Sequence, residues 1–199
     1  MGPRNPIVAF ALLALSTAPA LARQPGPSVP MTLLAPQPMS VALSLTELEI
    51  DFSDRAAARQ MVIPAGRDDA RVQSEQDGTA VLSISGVAAL DDLRDTARAL
   101  EAVNPGARAN FVIYETRRNG AGERMVLTSR VALIVTDPAS RGVIEDYASR
   151  NPQPVAGVPG GYTLDAADPL EAIRLADELR SRPGVRTVYP LIKRRSALR

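Results

Sequence analysis

The sequence predicts an α+β protein built from two consecutive ferredoxin-like modules, each in β-α-β-β-α-β order, with antiparallel sheets and the helices on one face. Three observations predict it. Residues 160–193 read as strand, helix and strand, with a distinct residue marking each boundary. A fainter copy lies upstream, where NPGARANFVIY matches RPGVRTVYPLI by position and character at a spacing of about 78 residues. Before the strong unit runs RMVLTSRVALIVT, whose second part, residues 131–135, is apolar throughout, as in a strand covered on both faces.

The strong unit is legible residue by residue. Asp168 is placed to cap a helix, and Pro169 to occupy its first turn, where a missing N–H is harmless. Ala172, Ile173, Leu175, Ala176 and Leu179 share one helical face, while Glu171, Arg174, Glu178 and Arg182 share the other. Pro183 ends the helix, Gly184 permits the turn, and residues 185–192 return as a strand.

The rest follows in chain order. Residues 1–22 read as a secretory signal peptide: Arg4, an unbroken nine-residue apolar run from Ile7 to Leu15, and a small-x-small cleavage site at Ala20 and Ala22. The run is far short of the roughly 20 residues of a spanning helix, so no membrane span is expected after its removal, and the chain is expected to be exported, periplasmic or extracellular. Residues 23–40, with Pro25, Pro27, Pro30, Pro36 and Pro38, read as an extended, solvated spacer.

The first module is assigned to residues 41–117. It has a short strand at 48–52, a brief helix through Ala58 capped by Ser53 or Asp54, and a strand at 79–85. A helix at 88–103 follows, with the stripe Leu90, Leu93, Ala97 and Leu100, then a strand at 109–115. Asp91 and Asp92 suit that helix's first turn. Residues 67–78 read as a polar loop and 119–122 as a turn.

The second module is assigned to residues 124–195, with 196–199 as a tail. Asp137-Pro138 opens a helix bearing Val143, Ile144, Tyr147 and Ala148, which Asn151-Pro152 ends. Residues 154–158 are a weak strand.

Composition narrows the chemistry. The chain has 199 residues, with no histidine and no cysteine, which removes imidazole and thiolate catalysis, the common zinc ligands and disulfides. No enzyme activity, metal or cofactor is expected. Asp68-Asp69 and Asp91-Asp92 are adjacent acids that point apart, so neither pair flanks a scissile bond. Gly157, Gly160 and Gly161 lie between strands instead of before a helix, which suits a turn better than a phosphate cradle. Beyond Arg4 the charges balance at 22 of each sign, and no aromatic-rich RNA-binding segment is present, so no nucleic-acid partner is expected. Lys193, Arg194 and Arg195 form a basic cluster of the kind a processing protease reads, and Lys193 is the only lysine.

With these residues in view, GYTLDAADP, a helix, RPGV and VYPLIKRR resemble the end of the N-terminal propeptide region of subtilisin-like serine proteases. The matching positions are Pro183, Gly184, Val185, Val188 and Pro190; LTSRVALIV at 127–135 is similar to the opening strand of such regions. Tyr189-Pro190 stand where some members carry acidic residues. The likeness covers roughly residues 124–195 and, more loosely, 41–115. It implies a non-catalytic folding assistant and inhibitor whose partner is a subtilisin-like serine protease, acting in cis or in trans. It further implies that the chain is a truncated product, a separated fragment or a free-standing homologue of such a region. On this resemblance Tyr189, Pro190, Leu191 and Ile192 dock on the protease, and Ser196, Ala197, Leu198 and Arg199 face its cleft. The competing expectation is a secreted or periplasmic binding module of tandem ferredoxin-like domains with an unrelated partner.

One mutation tests the strong unit directly. Leu179→Asp is expected to unfold the second module by burying a charge between helix and sheet; an unchanged melting curve would overturn the predicted fold.

Overall fold

The structure, a computed structural model, describes residues 26–34, 37–117, 120–136 and 141–194. Among these residues it is an α+β arrangement of nine strands in a single sheet with four α-helices. Each strand pairing among the described residues is antiparallel. No helix among these residues is long and apolar enough to cross a membrane.

Two long strands organise the sheet. The first, β2 (Pro38–Phe52), pairs along one edge with β5 (Ala107–Arg117). Its other edge is divided: β1 (Ser28–Leu34) occupies residues 38–44, and β4 (Thr79–Ile84) occupies 47–51. The register with β5 slips between Leu43 and Leu48, where Ser44 and Thr46 hydrogen-bond to each other at 3.2 Å. A bulge of this kind bends a strand and raises its twist, which is what allows one edge to change partners midway.

The same construction recurs. In β6 (Gly120–Val135) one edge pairs first with β5, at 120–127, and then with β8 (Gly161–Asp165), at 130–134. The opposite edge pairs with β9 (Val185–Arg194), and the register slips between Leu127 and Val131. With β3 (Ala70–Gln76) and β7 (Gln153–Pro154) added, the first half runs β3-β4-β2-β5 and the second β7-β8-β6-β9. β5 belongs to both halves.

The helices cover one face. Asp54 accepts the Ala56 N–H to start α1 (Arg55–Ala58). α2 (Leu90–Val103) buries Leu93, Ala97 and Leu100, with Asp91 and Asp92 in its first turn as expected. α3 (Arg141–Asp146) continues into a 3-10 turn, Ala148–Arg150, that Asn151 closes at φ 50°. α4 (Pro169–Arg180) starts on Asp168 and buries Ala172, Leu175, Ala176 and Leu179. Its Ile173 turns instead toward the core of the first half, as does Leu170.

Two clusters fill the helix side, one around Leu48, Ile50, Leu82, Leu93, Leu100 and Phe111, the other around Val131, Leu133, Leu164, Leu175 and Leu179. Fully burying a side chain of this size stabilises by about 1.5–3 kcal/mol, so these stripes carry the fold. Met125, Leu127 and Ile192, all from strands of the second half, pack in the first cluster. The cores are therefore joined.

Several expectations change. Residues 23–40 were expected to be a solvated spacer, but 28–34 form a paired strand with Leu33 buried. Met31 and Leu33 alternate with polar and proline positions, and that period outweighs the prolines. Residues 67–78 contain β3, closed on β4 by Asp77 and Gly78 at φ 52° and 80°. Asp-Gly at two left-handed positions is a hairpin signal. The strand expected at 48–52 is the end of a longer one, that at 154–158 is reduced to Gln153–Pro154, and Gly120 already pairs with Arg117. Asp137-Pro138 lies outside the described residues.

Buried Asn104 joins the segment after α1 to the end of α2. It accepts the Val62 N–H at 2.7 Å and donates to Val62 O at 2.8 Å and Leu100 O at 2.7 Å. Asn104→Ala leaves three backbone groups without partners and is expected to destabilise by about 1–3 kcal/mol, read as a lower midpoint in urea.

Candidate functional site

The alternation of the strands presents a second, helix-free face, and the two halves use it differently. In the first half β2 contributes Glu47, Glu49 and Asp51, which alternate with the core residues Leu48 and Ile50. The Tyr114 hydroxyl donates to Glu47, and Arg124 Nη1 donates to Glu49 at 3.1 Å. Asp51 accepts from Asn110 Nδ2 at 2.8 Å and from Thr79 Oγ1 at 3.2 Å. Glu49 is only 2% exposed, and the paired Val112 and Val126 are fully buried. Buried charges persist where they are paired, so these acids are satisfied structural groups.

Lys193 also donates to Asp51. β9 is separated from β2 by β5 and β6, about 14 Å across a flat sheet at the usual strand spacing. A lysine side chain spans roughly half of that. The sheet therefore curls toward its helix-free side.

The second half leaves its face open. The rows Thr163–Ala132–Tyr189 and Gly161–Ile134–Thr187 run across β8, β6 and β9, with Leu191 beside them. Ala132, Ile134, Thr163, Thr187, Tyr189 and Leu191 are each half-buried. These are small or apolar side chains on three adjacent strands, and together they form a shallow apolar surface with one phenol. Its rim carries the Arg130–Asp165 ion pair at 3.2 Å, with Asn151 donating to Asp165 at 2.9 Å. Between the closed and open faces, where β5 gives way to β8 along β6, lies a cleft of about 480 Å³ lined by Asp51, Arg108, Arg130, Asp165, Leu191 and Lys193.

Alternation divides the four residues expected to dock. Tyr189 and Leu191 lie on the open face, whereas Pro190 is buried on the helix side and Ile192 packs in the first core. Lys193 is paired with Asp51, and Arg194 ends β9 opposite Met125. Arg195, the tail residues 196–199 and the cleavage residues Ala20 and Ala22 lie outside the described residues. Asp69 pairs with Arg67 at 3.1 Å, and Asp92 accepts the Ala89 N–H. Gly160 lies at φ 69°, where a Cβ would come within 2.8 Å of Val135 O, so it serves a turn. Among the described residues no group of three or more Asp or Glu could hold a metal ion. Sequence reasoning missed Ala132, Ile134 and Thr163, whose only signal is the period-two alternation of apolar strands. It also missed Asp51, which the acid–apolar alternation of 47–52 places on the face opposite Leu48 and Ile50.

Asp168 ties the start of α4 to α2, adding a contact between the halves to the shared ladder and core. Its Oδ1 accepts the Glu171 N–H at 2.8 Å, and Oδ2 accepts from Arg94 Nη2 at 2.8 Å and Nε at 3.1 Å. Arg98 adds a longer contact at 3.5 Å. Burial opposes ionisation of Asp168, but the Glu171 N–H and the Arg94 guanidinium outweigh it and hold the carboxyl below its ordinary value. Glu171 is lowered in the same way, against burial, by Arg150 and the Ala167 N–H.

No protein-family model, curated protein or solved structure matches the chain.

A depressed carboxyl contributes stability that is present above the unfolded value, about 3.9 for Asp, and is lost as pH falls through the lower folded value. Arg94→Ala is expected to destabilise by about 1–3 kcal/mol at pH 7. The gap between variant and unmutated chain, measured by urea titration at a series of pH values, should close below pH 4. A gap independent of pH would mean that Asp168 and Arg94 are not coupled.

Proposed function

We propose that this chain is a non-catalytic, exported protein-binding module of two ferredoxin-like units, and that its partner is a subtilisin-like serine protease. The strand orders β3-β4-β2-β5 and β7-β8-β6-β9, each all-antiparallel with helices on one side, support the two-unit reading. The observation that carries the function is the contrast between the two helix-free faces. The first is closed by its own ion pairs and hydrogen bonds, while the second offers Ala132, Ile134, Tyr189 and Leu191 to solvent on two adjacent strands.

A shallow apolar surface suits a helix or helix pair of a folded partner better than a small molecule, which needs concavity. β9 runs along this surface and delivers the chain toward its C-terminal end. A segment leaving there in extended form gains main-chain hydrogen bonds if it adds as a strand to a partner's cleft. Docking and occupation of the cleft by one molecule is how such a module inhibits, and docking on an unfinished protease is how it assists folding. The resemblance of residues 160–195 to subtilase propeptides names the partner; the open face supports the mode.

The test is inhibition of subtilisin in trans by the purified chain, together with recovery of activity from acid-denatured subtilisin. Ile134→Arg should weaken inhibition at least tenfold, because it places a charge in the apolar contact. Deletion of residues 191–199 should abolish inhibition, and deletion of 196–199 should do so without removing Ile192 from the core. Full inhibition by both truncated chains would sink the tail assignment. No inhibition and no assisted refolding by the intact chain would sink the protease reading and leave a binding module with an unrelated partner.

A further inference from the structure

The end of β9 is held by the first unit. Ile192 packs in the first unit's core, beside Leu127, with which it pairs. Within its own unit, Thr128 of β6 also donates its hydroxyl to Leu191 O at 3.0 Å. Lys193 crosses the helix-free face to Asp51, whose carboxylate is itself positioned by Thr79 and Asn110. The partners are part-exposed, Lys193 to 47% and Asp51 to 30% of their side chains, so the contact can open without unfolding the core.

We propose that Asp51 is a latch on the chain's C-terminal segment: it sequesters the one lysine and so withholds the Lys193–Arg194 peptide bond from lysine-directed serine endopeptidases. Such an enzyme must take the ammonium into its own acidic specificity pocket and the flanking residues as an extended strand. Both are engaged here, the ammonium by Asp51 and the strand by β6. When the latch opens, hydrolysis adds water across the amide: the hydroxyl goes to the Lys193 carbonyl carbon, the proton to the Arg194 nitrogen, and the C-terminal segment leaves. The first unit thus controls when that segment is released. The inference does not depend on the identity of the docking partner.

The single lysine makes the test specific, because lysyl endopeptidase has one site in the whole chain. The full chain and its Asp51→Asn variant are digested under native conditions, and mass spectrometry follows the product ending at Lys193. A synthetic peptide of residues 189–199 calibrates the enzyme. Asp51→Asn is expected to be cut several-fold faster, and Asp51→Glu to restore slow cleavage. Equal rates for the unmutated chain and Asp51→Asn would overturn the latch. Should Asp51→Asn melt lower, added sodium chloride on the unmutated chain decides: cleavage that accelerates relative to the peptide supports the latch, and cleavage that does not refutes it.

Discussion

One strand edge has to serve two partners, and the rest of the fold depends on this. β6 pairs with β5 over its first half and with β8 over its second, as β2 does with β1 and β4. A straight strand cannot hand its edge from one neighbour to another, so each long strand is bulged near its middle. Because β5 is at once the last strand of the first half and the first neighbour of β6, the halves share a ladder as well as a core. The Asp168–Arg94 contact then locks the helical layer above that shared strand. A ladder and a core shared in this way join the two halves into one sheet instead of two beads on a string.

The similar strand pairing of the halves makes the difference between their faces informative. On the helix-free face Glu49 is paired with Asn110 in the first half, and Ala132 with Tyr189 in the second. A carboxylate at the first position recruits Arg124 and seals the surface, whereas a methyl group at the second leaves it apolar and open. A buried ion pair contributes little net stability against a hydrophobic alternative. Its effect here is on the surface: it closes one of the two helix-free faces and leaves the other open.

The sequence revealed what is local and strongly punctuated. Asp168-Pro169 and Pro183-Gly184 mark α4 because capping and φ restriction act within a few residues, and the stripe Leu93, Ala97, Leu100 marks α2 for the same reason. The α+β class and its antiparallel pairing were implied by the succession of elements, while β1 was hidden by prolines that a paired edge strand tolerates. The division of Tyr189 and Leu191 from Pro190 and Ile192 follows from strand alternation alone. What no local signal could show was the meeting of Lys193 with Asp51, or of Arg94 with Asp168, since these contacts join residues 142 and 74 positions apart. Such pairings depend on the curl of the sheet and the handover along β6, which are properties of the assembled chain.

The shared ladder also governs how the molecule is made. Synthesis proceeds from the N-terminus, so β5 is complete while the strand that will cover its outer edge is still emerging. β6 in turn exposes the apolar run Val131–Val135 along its far edge until β9 has been synthesised, after α3, β7, β8 and α4. A long apolar strand with unpaired N–H and C=O groups is a template for pairing with another chain. Each nascent molecule therefore passes through a stage at which a holdase, or speed of elongation, separates folding from aggregation, and the arrival of β9 ends it.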